Sequence, residues 1–151
     1  MKIYFYALLC LFIFFTASCS KKLNNPGLPN GNADVDLTVL SSTMVYAEVY
    51  NIMTNPDNYL GKTIKAKGLY YSVYYEETDA HYHFVLIADA ASCCTQGFEF
   101  IWNGSHVYPG DYPEEQAEIE ITGVFDSYDE LGNTYYYLSV DELLHSQPVS
   151  P

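Results

Sequence analysis

Two stretches far apart in the chain carry one pattern: Ile64-Lys65-Ala66-Lys67-Gly68-Leu69-Tyr70 and Ile119-Glu120-Ile121-Thr122-Gly123-Val124-Phe125. Apolar and polar residues alternate, as in a strand with one buried face. A glycine then interrupts each run, and glycine inside a strand marks a bulge or a bend. Two long strands bent at glycine are what a small closed β-barrel needs at its corners. No other feature restricts the fold as tightly.

Three more strand-like runs surround these two. The full set is Thr63–Tyr75, Tyr82–Ala88, Phe98–Trp102, Ala117–Ser127 and Thr134–Val140. The second run is nearly all apolar. In the third, Phe98, Phe100 and Trp102 fall on one face. In the fourth, Ile119, Ile121 and Phe125 point inward while Glu118 and Glu120 point outward. Asp129-Glu130-Leu131-Gly132-Asn133 predicts a hairpin between the last two strands; its acidic residues fail the spacing of a calcium loop. The 16 Tyr and 8 Phe suit half-buried strands better than helices.

Ahead of the strands, Val39 to Thr54 predicts a helix, with Val45, Val49, Ile52 and Met53 on one stripe and Tyr46 and Tyr50 beside it. Ser41, Ser42 and Thr43 are candidate N-caps, and Asn55-Pro56 ends the helix. The expected fold is mainly β: a small five-stranded OB-like barrel with an N-terminal helix packed on one end. An open antiparallel sheet or a small sandwich is the alternative. Asn103 to Gln116, punctuated by Gly104, Pro109 and Gly110, would replace the helix often found between strands three and four.

The formal net charge is -13, and every basic residue is Lys. Nucleic-acid binders cluster basic side chains on the phosphates, so this balance argues against a nucleic-acid partner.

The N-terminus reads as an address. Lys2 gives a positive start, and Ile3 to Phe15 is an apolar run too short to cross a bilayer comfortably. Thr16-Ala17-Ser18-Cys19 follows and resembles the lipobox of bacterial lipoproteins, with Thr16 where that family usually has Leu. The resemblance implies lipidation of Cys19, by diacylation and palmitate-type chains, and a membrane partner for the N-terminus. Ser20 resembles an outer-membrane sorting signal, so the expected location is the cell envelope, on the outer membrane of a Gram-negative bacterium. The expected organisation is a signal peptide over 1–18, a flexible tether over 19–38, the folded domain over 39–145 and a disordered tail over 146–151.

Removal of Cys10 and lipidation of Cys19 leave Cys93 and Cys94, side by side in the loop before strand three. Four readings are open. The pair fills space as small apolar thiols. It binds a soft metal, zinc or copper(I), with Asp89 and Glu99 completing the site at the mouth of the loop. It forms a strained vicinal disulfide. Or one thiol is a nucleophile, although no histidine adjoins it in sequence. His81, His83 and His106 are expected at the opposite end of the hairpin as exposed strand-end residues, and His145 carries no signal. Tyr70, Tyr71, Tyr74, Tyr75, Tyr135, Tyr136 and Tyr137 either line a ligand groove, with Tyr70, Tyr74 and Tyr136 as its candidates, or form cross-strand pairs.

Asn55-Pro56-x-x-Tyr59-x-Gly61-Lys62, then Gly68, then Cys93-Cys94 and Gly97, resembles a family of bacterial extracytoplasmic OB-like domains of unknown function. The resemblance spans about Asn55 to Val140 and implies fold and compartment without an activity. The expected function is a membrane-anchored extracytoplasmic binding or accessory module that binds a soft metal or presents a ligand to a membrane-protein partner. The alternative is an extracytoplasmic thiol or redox protein using Cys93 and Cys94.

Overall fold

The computed structural model describes residues 33–91 and 94–145. The expected signal peptide, Cys19, most of the tether, Cys93 and the C-terminal tail lie outside these residues. The element order is β1 (Val35–Asp36), α1 (Ser42–Thr54), β2 (Thr63–Tyr75), β3 (Ala80–Ala88), β4 (Thr95–Trp102), β5 (Glu118–Glu130) and β6 (Asn133–His145). The fold is mainly β. The strands form one mixed sheet in the order β1-β2-β3-β4-β6-β5, and β2 also pairs with β5, so five strands follow one another in a ring. The pairs β1–β2 and β4–β6 are parallel, which corrects the purely antiparallel alternative.

Gly68 stands where β2 changes partner. Residues 63–69 of β2 pair with β5, and residues 69–75 pair with β3. A Cβ on Gly68 would lie 2.3 Å from the Leu86 carbonyl oxygen, so no side chain fits this crossing. Gly123 sits at the register shift of the β5–β6 pair, where its Cβ would lie 2.7 Å from Ser139 O. Both repeated glycines therefore mark irregularities of the ring, as the pattern predicts.

The alternation places the core. Ile64, Ala66, Val85, Phe98, Phe100, Ile119, Ile121, Phe125, Leu138 and Val140 are buried on the inner face. Across the outer face, Lys65 and Lys67 reach Glu120 and Glu118 at 2.8 Å each. Val49 and Ile52 of α1 join the core, whereas Met53 and Tyr50 are exposed, so the buried stripe is narrower than expected. The helix begins at Ser42 with Ser41 as its N-cap, and a short 3-10 turn, Leu37–Val39, precedes it. Tyr59 ties the lead-in to the helix: its hydroxyl donates to Glu48 (2.8 Å) and accepts from Asn51 Nδ2 (2.7 Å).

Two boundaries differ from expectation. Part of the expected tether belongs to the folded unit: Val35 and Asp36 pair with Ile64 and Lys65, Leu37 is buried, and Asp36 accepts from Thr38 N. A two-residue strand is too short to show alternation. The last hairpin is also longer, running to Glu130 and Asn133 around a two-residue turn, with Leu131 and Gly132 both at positive φ.

Between β4 and β5 no helix forms; residues 103–117 make turns that fold back on β2. Tyr70 N donates to Ala117 O (2.8 Å), and Gln116 N donates to Tyr70 O (2.9 Å). Glu115 accepts from Ser72 N (3.1 Å) and from the Ser72 hydroxyl. This segment closes one end of the ring with aromatic side chains.

Candidate functional site

The residues singled out in the sequence separate into three places. Asp89 and Cys94 meet across the β3–β4 turn: Asp89 N donates to Cys94 O at 2.9 Å, and Cys94 N donates to Asp89 Oδ1 at 3.4 Å. Cys94 is exposed. Glu99 does not join them. It lies five residues into β4 opposite Phe84, about 17 Å along an extended strand from Cys94. The expected metal set of Cys93, Cys94, Asp89 and Glu99 is corrected to that extent. Among the described residues, no three His, Cys, Asp or Glu side chains gather as a metal would require.

The second place is the closed end of the ring. His83 is buried, and its ring stacks on Tyr112 at 4.0 Å, with Tyr108 at 5.3 Å. Tyr70 Oη lies 2.8 Å from His83 Nδ1. His81 packs on Tyr108 at 4.2 Å, and His106 stacks on Trp102 at 3.7 Å. The three histidines do gather away from the cysteine turn, but His83 is a core residue rather than an exposed one. Burial, with some repulsion from His81 and an opposing pull from Glu115, lowers its pKa to about 4. Tyr70 is likewise buried, and burial raises its pKa. Tyr74 is exposed beside His81, while Tyr136 stacks on Phe125 at 5.8 Å. The described ring contacts of Tyr70, Tyr74 and Tyr136 are thus separate from one another.

A groove does form, on the outer face of the strands. Val73 and Tyr75 of β2, Tyr82 and Phe84 of β3, Glu99 of β4, Tyr128 and Glu130 of β5 and Tyr135 of β6 line a cavity of about 300 Å3. Alternation explains the membership, since each of these residues is out of phase with the nearest buried positions of its own strand. The Tyr128 hydroxyl is 3.0 Å from both Glu99 oxygens. The Tyr82 hydroxyl donates to Glu130 Oε2 at 2.7 Å. Tyr128 and Tyr135 stack at 5.6 Å, an aromatic pair directly across the β5–β6 hairpin.

The electrostatics of the groove are one-sided. Burial raises the Glu99 pKa; the Tyr128 hydrogen bond opposes this, and the nearby Glu130 charge adds to it. Tyr128 and Tyr82 are raised in turn, Tyr128 chiefly by burial and Tyr82 chiefly by its bond to Glu130. The ion pairs among the described residues are Lys65–Glu120 and Lys67–Glu118, so neither Glu99 nor Glu130 meets a lysine there. A carboxylate drawn out of water normally finds a cation or several strong donors.

A larger depression, about 630 Å3, lies between the 37–45 segment, β2 and the end of β3, with Tyr70 and Tyr71 in its lining. Its charged lining is the Lys67–Glu118 pair, already mutually neutralised. It lacks the partly buried carboxylate without a lysine partner that distinguishes the smaller groove.

The sequence analysis missed Tyr82, Phe84 and Tyr128. One signal was present: Tyr82 to Ala88 is apolar on both faces, and a strand whose inner face fills the core needs a reason for an apolar outer face. Among the described residues, no helix is long and apolar enough to cross a membrane. Comparison with protein-family models and with curated proteins finds no match to this chain, so the reading of the groove rests on its own chemistry.

Proposed function

We propose that this chain is a lipid-anchored extracytoplasmic binding module whose ring of strands is an OB-like barrel and whose ligand site is the outer groove. Two features support the barrel. The β2-β3-β4-β6-β5 succession returns to β2, and both irregular glycines fall on β2 and β5, the two strands that close it. The anchor rests on the Lys2, Ile3–Phe15 and Thr16-Ala17-Ser18-Cys19 series, and the compartment on the OB-like resemblance. The single observation that carries the binding reading is Glu99: a partly buried carboxylate among aromatic rings whose hydrogen-bond partner among the described residues is the Tyr128 hydroxyl. Such a group costs stability and returns little to the fold.

The test takes the full chain in the presence of a lipid membrane. Full-length protein is expected to partition with lipid and to carry acyl chains on Cys19, whereas Cys19→Ser is expected in the aqueous phase. The detergent-solubilised protein is then titrated with a panel of amino acids, sugars, nucleosides and amines while backbone amide resonances are followed. Shifts clustering at Tyr82, Phe84, Glu99 and Tyr128 are the expected result. Shifts that cluster elsewhere, or none with any compound, contradict the groove as a ligand site. An unmodified N-terminus other than Cys19 contradicts the anchor.

A further inference from the structure

We infer that the outer groove recognises an organic ammonium group, held between tyrosine faces and the Glu99 and Glu130 carboxylates. This inference rests on the binding-module reading above and narrows it to a ligand class. Three observations lead to it.

The first is shape and lining. The cavity of about 300 Å3 has room for one small head group or one side chain. Tyr75, Tyr82, Tyr128 and Tyr135 contribute rings from four different strands. A cage of tyrosine faces attracts a positive charge through the ring quadrupoles, and aromatic cages are the recurring solution for alkylated ammonium groups.

The second is charge. Glu99 and Glu130 stand at this cavity without a lysine from the described residues, and each is engaged by a tyrosine hydroxyl. A carboxylate has capacity for about four hydrogen bonds, so each retains acceptor positions for N–H donors of a ligand. An ammonium group entering here is attracted by both carboxylates and offsets one of their two negative charges. A neutral sugar offers ring stacking but leaves the partly buried Glu99 carboxylate uncompensated. An anion is repelled by both groups and by the net charge of -13.

The third is the geometry of the hydroxyls. The Tyr128 hydroxyl spans both Glu99 oxygens at 3.0 Å, and the Tyr82 hydroxyl holds Glu130 Oε2 at 2.7 Å. These bonds fix the carboxylates before a ligand arrives, which lowers the ordering cost of binding. Both tyrosine pKa values are raised, so the hydroxyls stay protonated and remain donors to the carboxylates.

The groove amides of full-length protein in detergent micelles are followed at constant ionic strength. The probes are tetramethylammonium, n-butylammonium, neutral 3,3-dimethyl-1-butanol, methyl β-glucoside and calcium, each added as a single compound. The expected result is saturable shifts at the groove with an ammonium probe, and at least tenfold weaker binding of the neutral alcohol. Tighter tetramethylammonium assigns a quaternary head group; tighter butylammonium assigns a primary amine such as a lysine side chain. Glu99→Gln is expected to weaken the ammonium at least tenfold while core amides stay in place. Tyr135→Ala, at the exposed rim, is a second variant and is expected to do the same by removing one face of the cage. Equal or tighter binding of the alcohol, the glucoside or calcium at the groove overturns the ammonium assignment and leaves the binding module standing. Silence of the groove amides to every probe overturns both.

Discussion

His83 controls part of the acid response of the fold. Its neighbours are Tyr70, Tyr108 and Tyr112, with Phe100 at 6.1 Å, and the charged groups bearing on it are His81 and Glu115. Burial holds its pKa near 4, below the ordinary value of 6.5. The unfolded chain therefore binds the extra proton first as the pH falls. The associated stability is fully present above about pH 6.5 and is lost as the pH drops towards 4. Urea unfolding at several pH values is expected to show a loss on the order of 1–3 kcal/mol across this window. His83→Phe is expected to flatten that window, and an unchanged slope in the variant would contradict the assignment. No sequence signal distinguished His83 from His81, because residues two apart share one face of a strand and differ only in how far along it the core reaches.

At the scale of elements, alternation revealed the strands but not their ends. β2 runs from Thr63 to Tyr75 as expected, although its alternation blurs after Gly68, where the strand passes from one partner to the other. β6 runs five residues past Val140, where exposed Glu142 and Leu144 sit outside the core and the pattern weakens. β1 carries only two residues and was invisible. The bends were legible because glycine is the residue that tolerates them. Gly68→Val forces a side chain against the backbone of β3, and Gly123→Val does so against β6. Each is expected to cost on the order of 1–3 kcal/mol, measured by denaturant unfolding. Amide exchange should accelerate first along the β2–β5 pair, the contact that closes the ring. Unchanged stability in both variants would argue against close backbone approach at these positions.

At the scale of the whole molecule, the candidate site was legible only in part. Glu99 was singled out, but for a metal role at the cysteine turn, because distance along the sequence was read as distance in space. Tyr75 and Tyr135 were considered, while Tyr82, Phe84 and Tyr128 looked like ordinary sheet residues. The groove draws on five strands, and no local window contains more than two adjacent ones. Its membership becomes visible once the register of the ring is known, because the outward phases of β2, β3, β4, β5 and β6 then converge. The central claim is that Glu99 is retained for a ligand rather than for the fold. Thermal unfolding of Glu99→Gln beside the wild-type chain at neutral pH, without ligand, tests this most directly. Glutamine keeps an acceptor for the Tyr128 hydroxyl and removes a desolvated charge. The account predicts a melting temperature equal to or above that of the wild type. A fall of several degrees would show that the carboxylate serves the fold and would contradict the account.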